Sequence, residues 1–415
     1  FGCTGDTVAR TPNIDRLASR GVNFTRSYCS APSCNPSRAS LMTGLRPSTT
    51  GVYNNRQPFR SARPDAVTLG QHLRANGYRV QGRGKMFHGR YPDAPSWDEY
   101  VPRGRDPVPE VRPANGIPNT QWFDWSPLDV DDEEMDDTKV VAWCGDQLSR
   151  KESKPRFLAC GLFRPHLPWY VPRKYFDQFP LDSITLPNVD IDDLDDVPAA
   201  GRRMARPERD HKRVTESDNW RRAVQGYLAS IAFTDANIGR LLEAFENSPD
   251  RDNTIVILWG DHGWHLGEKL HWRKFALWEE ATRCPMMISA PGVTSSNSVC
   301  DRTVSLLDIY PTLSDLCGLP IRHENEGNSL RPLLEDPATE WDIPAVTTFG
   351  RSNHSVRSEK WRYIRYADGS EELYDHEADP LEWTNLADKG YDQVLSDHKR
   401  WLPKTNAPEG KRDRT

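Results

Sequence analysis

Two unbroken apolar runs constrain the fold of this chain more than any other feature of its sequence. They cover residues 157–163 and 255–259, the second within a predicted strand at 254–259, and a charged residue follows each run within two positions. Apolar runs of this length without alternation are typical of strands in a parallel sheet that is covered on both faces. The polar residues that follow lie at the carboxyl ends of the strands, where open α/β sheets bind ligands. The pattern therefore predicts an α/β fold with a functional site at these strand ends.

Helical patterns occupy much of the chain around these runs. Between residues 222 and 246 the apolar residues recur with the helical period, which predicts a long amphipathic helix packed on a sheet. A capping box formed by Thr68 and Gln71 marks the start of another helix. Start and stop signals of this kind predict helices at 11–21, 68–77, 138–148 and 304–317.

Two segments are predicted to lie on the surface. Residues 91–137 are rich in Pro, Asp and Trp with little periodicity, which indicates a long surface excursion. Residues 190–196 are acidic, which is typical of a solvated face.

The last part of the chain has a different character. After about Trp341, short alternating segments separated by polar turns predict a small antiparallel sheet. We therefore expect a main domain over residues 1–340 and a C-terminal subdomain over residues 341–415. The predicted strands of that subdomain are 345–349, 355–357, 361–366 and 372–374.

Composition excludes several classes of protein. The chain has 415 residues and a net charge of -6, whereas a nucleic-acid binder is expected to carry a basic surplus. No apolar run approaches the roughly 18 residues of a membrane-spanning helix, so no transmembrane segment is predicted. The eight cysteines form no C-x-x-C pair, which argues against a zinc ribbon.

The segment from Ser27 to Tyr53 holds the most informative local pattern. Proline and glycine punctuate its ends, and residues 38–42 are good helix formers, so Cys34 is predicted to lie at the start of a short helix. Exposed N–H groups and the positive end of the helix dipole favour an oxyanion at that position. Arg38, one turn further on, adds a forked cation. The segment therefore predicts an anion site around Cys34.

The string Cys34-Asn35-Pro36-Ser37-Arg38, with a Thr-Gly turn after it, resembles the formylglycine signature of type I sulfatases. Residues 11–24 resemble the same family. The resemblance implies an α/β fold of the alkaline-phosphatase type, in which helices flank a large mixed, mostly parallel sheet and a smaller C-terminal antiparallel subdomain follows. It also implies that a formylglycine-generating or equivalent maturase oxidises Cys34 to an aldehyde. One hydroxyl of the hydrated aldehyde would attack sulfur and the other would expel sulfate, so the expected substrate is a sulfated carbohydrate.

Asp261 and His262 form the second half of the predicted site. They lie in the string GDHGWHLGE, where the family places metal ligands, so the resemblance implies a calcium site formed by Cys34, Asp261 and His262. Calcium prefers carboxylate oxygens, and histidine is its less usual ligand. The Asp-His form, with the strings GKMFH, FRPHLPW and WRK, resembles iduronate-2-sulfatase and its bacterial relatives. That branch of the family implies a sulfated uronate as substrate.

The resemblance implies a role for several other residues. Lys85 and Lys274 would hold the sulfate group. His88 would take a proton as sulfate leaves, and His166 would assist the departing alcohol. An unperturbed imidazole titrates near pH ~6.5, so either histidine suits acid or base catalysis. Further substrate contacts are expected from Arg164, Trp264, Arg273 and His354.

One part of the family pattern is not found. The family opens with a buried strand that ends in two adjacent Asp residues, and no such strand precedes Phe1. We therefore expect the sequence to be a fragment that lacks its first strand. A secreted, periplasmic or lysosomal location is expected, although no signal peptide is visible. Two other interpretations stay open: a phosphate or phosphonate monoester hydrolase of the same superfamily, and a non-catalytic carbohydrate-binding remnant.

Overall fold

The computed structural model describes residues 1–120 and 122–413. The described chain divides into two compact units. The first contains residues 1–20, 73–188 and 207–255, and the second contains residues 21–72, 189–206 and 256 onward. The predicted division at residue 340 falls within the second unit, and the division into domains stays a prediction.

Strands are short and occur in both units. In chain order they are β1 (Val22–Tyr28), β2 (Arg79–Gly84), β3 (Glu99–Pro102), β4 (Trp125–Leu128), β5 (Arg156–Gly161), β6 (Trp169–Pro172), β7 (Val256–Trp259), β8 (His265–Leu266), β9 (Trp272–Arg273), β10 (Met286–Ser289), β11 (Ser298–Ser305), β12 (Ala345–Thr348), β13 (His354–Arg357), β14 (Trp361–Arg365) and β15 (Glu371–Asp375).

Helices lie between these strands throughout the chain. In chain order they are α1 (Pro12–Ala18), α2 (Cys34–Thr43), α3 (Pro47–Thr50), α4 (Phe59–Ala62), α5 (Leu69–Ala75), α6 (Asp136–Leu148), α7 (Arg173–Phe176), α8 (Ala199–Ala205), α9 (Asp210–Glu216), α10 (Trp220–Glu246), α11 (Glu279–Thr282), α12 (Ile309–Leu316), α13 (Arg331–Glu335) and α14 (Asp392–Lys399). No helix of the described residues combines the length and the apolar character that a bilayer span needs.

The first unit contains a parallel sheet in the order β3-β2-β5 and a parallel pair of β4 with β6. The apolar run at 157–163 forms β5, so the predicted parallel strand is confirmed. Helix α10, the predicted amphipathic helix, packs on α6, α1 and β6. Its Asp235 accepts the main-chain N–H groups of Asn13 at 3.0 Å and Ile14 at 2.8 Å. A carboxylate from one helix thus satisfies the free N–H groups at the start of another.

The second unit contains a mixed sheet in the order β11-β1-β10-β7. Strand β1 runs parallel to β11 and antiparallel to β10, which in turn runs antiparallel to β7. Gly21 precedes β1 where a Cβ atom would lie 2.2 Å from the carbonyl oxygen of Ile288, so only glycine fits this approach. The predicted strand at 254–259 forms β7, and Gly260 separates its end from Asp261. The prediction of a buried parallel strand is wrong here, because β7 is half-buried and pairs antiparallel with β10.

The antiparallel C-terminal sheet is confirmed. It has the order β12-β13-β14-β15, and each neighbouring pair is antiparallel. Its apolar face packs around a cluster of buried side chains contributed by Val346, Val356, Tyr363, Leu373 and Leu395. With the mixed and parallel sheets and their helices, this arrangement confirms the predicted α/β class.

The helix predicted at 304–317 is wrong at its start. Strand β11 continues to Ser305, and helix α12 begins only at Ile309. Val304 pairs with Ser27 of β1, and this pairing buries its β-branched side chain in the sheet. Pairing with β1 determines the extended conformation of residues 304 and 305. Local helix signals do not report on this pairing, because it depends on residues far away in the sequence.

Both segments predicted to lie on the surface are partly buried. Residues 91–137, apart from Gln121 outside the described residues, contain β3, β4 and the buried side chains of Trp97 and Phe123. In the acidic segment 190–196, Asp193 is buried and its Oδ1 accepts a hydrogen bond from Lys269 Nζ at 2.6 Å. Composition predicted that both segments lie on the surface, but it does not identify the individual residues that anchor them.

Candidate active site

Cys34 is the first residue of helix α2, as predicted. All ten residues of this helix are buried, and Gly44 ends it with a φ of 72°. The carboxamide oxygen of Asn55 accepts hydrogen bonds from the Asn35 main-chain N–H and from the Ser33 hydroxyl, each at 2.9 Å. A residue from a later segment therefore caps the start of the helix and fixes the main chain beside Cys34.

Asn35 and Gln57, which were not predicted as site residues, extend this support. Asn35 Nδ2 donates to the carbonyl oxygens of Asn54 at 3.0 Å and Gln57 at 2.7 Å. The buried side chain of Gln57 accepts N–H groups from Tyr53 at 2.7 Å and Asn54 at 2.9 Å. The high number of amide side chains at residues 54–57 was the sequence signal that could have indicated this support, because amides pair both with N–H groups and with carbonyl groups.

Arg38 connects helix α2 to the end of β7. Its Nε donates to Oδ2 of Asp261 at 2.7 Å, and its guanidinium lies 5.3 Å from the ring centroid of Trp259. The Ser37 hydroxyl donates to the main-chain oxygen of Asp261. Both residues of this ion pair are largely buried, so the pair holds the helix and the strand end in a defined arrangement.

His262 and Lys274 converge on Cys34. His262 Nε2 lies 3.3 Å from Cys34 Sγ, and Lys274 Nζ lies 2.9 Å from the same sulfur and 3.1 Å from His262 Nε2. His262 Nδ1 lies 2.8 Å from the carbonyl oxygen of Gly263, which can only accept. In the neutral ring, the proton is therefore assigned to Nδ1, and the lone pair of Nε2 faces Lys274 and Cys34.

Trp264 and Arg273, both predicted to contact substrate, lie in the same segment as Lys274. The Lys274 ammonium is 5.7 Å from the ring centroid of Trp264, and Arg273 is half-buried beside Lys274 in the chain. Arg273 has a φ of 77° and Phe275 a φ of 78°. Two left-handed residues that are not glycine flank Lys274, a form of backbone strain that clusters at functional sites.

The predicted metal ligands lie together. One ligand atom from each of Cys34, Asp261 and His262 falls within 4.8 Å of the others. Calcium takes about six to eight oxygen ligands, and in this group only Asp261 offers carboxylate oxygen. Oδ2 of Asp261 also accepts a hydrogen bond from Arg38, and the Lys274 ammonium contacts both the sulfur and the imidazole. The three residues could hold part of the shell of a divalent cation, but they fall short of a calcium site.

A second group of possible metal ligands contains Glu279, His376 and Glu382. Arg362 donates to both carboxylates of this buried group, and Arg357 Nε lies 3.4 Å from Glu279 Oε2. Two guanidinium groups therefore balance the two carboxylates without a metal. This group is a structural ion cluster.

The other predicted catalytic residues lie in the first unit, directly after the paired strands β2 and β5. Lys85 is buried, and its Nζ lies 5.2 Å from the ring centroid of Phe163. His88 lies near Tyr91, with 5.9 Å between ring centroids. His166 Nδ1 lies 2.6 Å from the carbonyl oxygen of Leu167. Gly84 pairs with Gly161 across the two strands, so the residues that follow them leave the sheet at the same edge.

Arg164, predicted to contact substrate, has partners within its own unit. Its Nη2 pairs with Asp106 at 3.0 Å, and its Nε and Nη2 donate to the carbonyl oxygen of Tyr170. Asp137 accepts the main-chain N–H of Arg164 at 2.9 Å. Burial raises the pKa of Asp137 to about 6 against the opposing effect of Arg164. The guanidinium therefore holds its own loop in place.

His354, predicted to be a substrate-binding residue, is buried in the C-terminal sheet. It lies in β13 with 3% of its surface exposed, and its Nδ1 is 3.0 Å from the Thr348 hydroxyl. Burial lowers the pKa of His354 to about 4, so the ring is neutral at pH 7. It cannot supply the cation that a carboxylate would need.

Family models match most of the chain. The model described as Sulfatase matches residues 1–319, and the model described as N-sulphoglucosamine sulphohydrolase, C-terminal matches residues 260–407. A sulfatase of Formosa agariphila is 40% identical and aligns over 96% of this chain and 82% of its own length. A choline-sulfatase of Rhizobium meliloti is 31% identical and aligns over 91% of this chain and 77% of its own length. The iduronate 2-sulfatase of Homo sapiens is 29% identical, over 77% and 67%.

Solved structures share the fold. The 2-O GAG sulfatase BT1596 superposes with a TM-score of 0.77 at 23% identity, over 97% of this chain and 88% of its own. A phosphonate monoester hydrolase of Agrobacterium radiobacter superposes with a TM-score of 0.77 at 23% identity, over 96% and 91%. The same fold thus occurs with two different substrates, so the fold does not identify the substrate.

Proposed function

The chain belongs to the sulfatase family, a family of sulfuric ester hydrolases, and we propose that it acts on carbohydrate sulfates through a formylglycine made from Cys34. One observation carries the proposal: Lys274 Nζ lies 2.9 Å from Cys34 Sγ at the start of helix α2. A helix N-terminus and an ammonium group together favour negative charge at this point.

Sulfate ester cleavage needs a positioned nucleophile, cations over the non-bridging oxygens and an acid for the departing alcohol. Residue 34 occupies the nucleophile position. Lys274 provides the cation beside it. The hydrogen bond from Arg38 to Asp261 fixes the position of helix α2 relative to the end of β7. The roles of Lys85, His88 and His166 rest on the family resemblance and stay predictions.

Formylglycine at residue 34 would supply a regenerable oxygen nucleophile in place of the thiol. Its formation replaces the C–S bond and one C–H bond at the Cβ atom of Cys34 by a C=O bond, with the oxygen taken from water, and removes two electrons. A formylglycine-generating or equivalent maturase must pass these electrons to an oxidant and release the sulfur. The intact Cys34-x-Pro36-x-Arg38 pattern supports the proposal that this chain is a substrate of such a maturase.

We also propose a divalent cation at Cys34, Asp261 and His262, with calcium as the candidate by family resemblance. Because these residues supply few hard oxygen ligands, we expect the described residues to bind calcium weakly. Isothermal titration calorimetry measures this, and tight binding would mean that the site lies elsewhere.

The proposed substrate class is a sulfated uronate, supported by the likeness to iduronate 2-sulfatase. A uronate carries a carboxylate beside its sulfate, so the pocket needs another cation or donor. Arg164 has internal partners and His354 is buried and neutral, so the remaining predicted cation is Arg273, beside Lys274. Arg273→Ala should therefore lower kcat/KM for a sulfated uronate more than for a neutral sulfated hexose. Equal loss on both would remove the uronate proposal.

The deciding experiment combines mass spectrometry with substrate turnover. The chain is expressed with and without a maturase, and the mass of the Cys34 peptide is compared with release of sulfate from both sugar classes. A phosphonate monoester serves as the third substrate. We expect sulfate release only from the protein that carries formylglycine. A peptide found only as free thiol would point to a remnant, and turnover of the phosphonate alone would favour the other hydrolase.

We propose a secreted, periplasmic or lysosomal location, where polysaccharide sulfates are accessible. Fractionation of the source cells tests this, and recovery of the active protein in the cytosolic fraction would contradict it.

A further inference from the structure

Lys274 lies between two residues whose backbone conformation is unfavourable for side chains with a Cβ atom. The φ angles of Arg273 and Phe275, on either side of it, are 77° and 78°. Side chains with a Cβ atom disfavour this region, so such conformations persist only when neighbouring contacts enforce them. Some part of the surrounding structure must therefore hold this segment.

Several contacts hold the main chain around Lys274, among them the antiparallel pairing of Arg273 in β9 with His265 in β8. The Phe275 N–H donates to the carbonyl oxygen of Pro32 at 3.1 Å, which connects the segment to the turn before Cys34. His271 Nε2 lies 2.8 Å from the carbonyl oxygen of Lys274. The contact from His271 acts on the residue whose ammonium meets Cys34 Sγ.

His271 is itself held from the other side of its ring. Its Nδ1 lies 2.6 Å from the carbonyl oxygen of Ala205, the last residue of helix α8, and the side chain is buried. A carbonyl oxygen accepts and does not donate, so the ring donates to both carbonyl oxygens only as the imidazolium cation, and the neutral ring donates from one nitrogen alone. The imidazole thus connects helix α8 to the main chain of Lys274 within the second unit.

We propose that His271 is a positioning residue for Lys274. By donating from Nε2 to the Lys274 carbonyl oxygen, it keeps the strained segment in the conformation that brings the ammonium to residue 34. This inference rests on the proposed function of Lys274 and names a residue that acts through it, without contact to the substrate. It makes the Nε2 contact, and not the Nδ1 contact, the one that matters for turnover.

Two substitutions separate the two contacts. The carboxamide of Gln can place an N–H near the position of Nε2, whereas that of Asn places it near Nδ1. His271→Gln therefore preserves the donor to Lys274, and His271→Asn preserves the donor to Ala205. His398→Gln and His398→Asn are matched controls, because His398 is also buried in the second unit. Its Nδ1 lies 2.7 Å from the Val394 carbonyl oxygen, and its Nε2 lies 2.9 Å from the Ser358 hydroxyl.

The full chain is co-expressed with a maturase, and kcat is expressed per formylglycine-containing molecule. We expect His271→Asn to lower kcat at least about tenfold relative to His271→Gln, with a smaller change in KM, and the two His398 variants to have equal kcat. Equal kcat for the two His271 variants would overturn the inference. Loss of cooperative melting in both would assign His271 to fold stability and also overturn it. Lys274→Ala is the reference: if it retains full activity, the proposed function of Lys274 fails instead.

Discussion

Arg38 Nε donates to Oδ2 of Asp261 at 2.7 Å, across 223 residues of sequence. This ion pair joins the helix that carries Cys34 to the strand end that carries the predicted metal ligands. We expect Asp261→Asn to keep an oxygen acceptor for Arg38 but to lose the negative charge that a divalent cation needs. Calcium affinity, measured by calorimetry on the protein that carries formylglycine, should fall at least about tenfold.

The control for this prediction is Asp301→Asn, which removes an exposed carboxylate in β11 of the same unit. Its calcium affinity should equal that of the unchanged protein. Unaltered affinity in Asp261→Asn would place the cation at other residues.

The second prediction concerns the nucleophile. Cys34→Ser should abolish multiple turnover of sulfate esters, because serine cannot be converted to an aldehyde by oxidation of a thiol. The fold should persist, since the change replaces one buried atom by a smaller one. Sulfate release over many turnovers and the thermal unfolding curve measure the two effects. Sustained turnover by Cys34→Ser would indicate phosphatase-like chemistry at this position.

The third prediction concerns Gln57, which supports the segment beside Cys34. Gln57→Ala leaves the buried N–H groups of Tyr53 and Asn54 without this acceptor and removes the hydrogen bond to the Gly410 carbonyl oxygen. We expect the free energy of unfolding to fall by about 1–3 kcal/mol and kcat to fall with it. Urea unfolding and sulfate release measure both quantities.

Asn54→Ala is the matched control for Gln57→Ala. Its side chain accepts only the N–H of Arg56 among the hydrogen bonds found in the described residues, and this contact is exposed. Its stability should change by less than about 0.5 kcal/mol. An equally small effect of Gln57→Ala would show that the loop does not depend on this side chain.

The fourth prediction concerns acid stability. Burial raises the pKa of Glu382, but Arg362 and His376 outweigh burial and hold that pKa at about 2. A carboxyl group with a folded-state pKa below its unfolded value of about 4.3 stabilises the fold above pH ~4.3. That contribution is lost as the pH falls from there through the folded-state pKa. The free energy of unfolding should therefore decrease between about pH 4.5 and pH 2.

Glu382→Gln tests the origin of this decrease. Removal of one charge leaves the buried guanidinium of Arg362 with fewer partners, so the free energy of unfolding at pH 7 should fall by about 3–5 kcal/mol. The decrease of that free energy between about pH 4.5 and pH 2 should also become shallower. Glu377→Gln is the control, because the pair of Glu377 with Lys360 is exposed and screened by solvent, so its loss should leave the urea unfolding curve almost unchanged. Equal urea unfolding curves for both variants would contradict the prediction.

Local patterns in the sequence were sufficient for many elements of the fold. The start of helix α2 at Cys34, the parallel strand β5 and the hairpins of β12 to β15 were all predicted, because capping signals and apolar periodicity report on each segment by itself. Strand β10 was not predicted. It lies between β1 and β7, and its pairing with β1 joins segments more than 200 residues apart.

The sequence alone determined which residue types the candidate site contains, through the strings around Cys34 and Asp261 that resemble the sulfatase family. Only the tertiary structure decided which side chains meet. It brings Lys274 Nζ to 2.9 Å from Cys34 Sγ, and it gives Arg164 the internal partner Asp106 and buries His354 in a sheet. These outcomes differ because a motif specifies local chemistry, whereas the partners and the hydration of a charged group depend on the packing of residues that are distant in the chain.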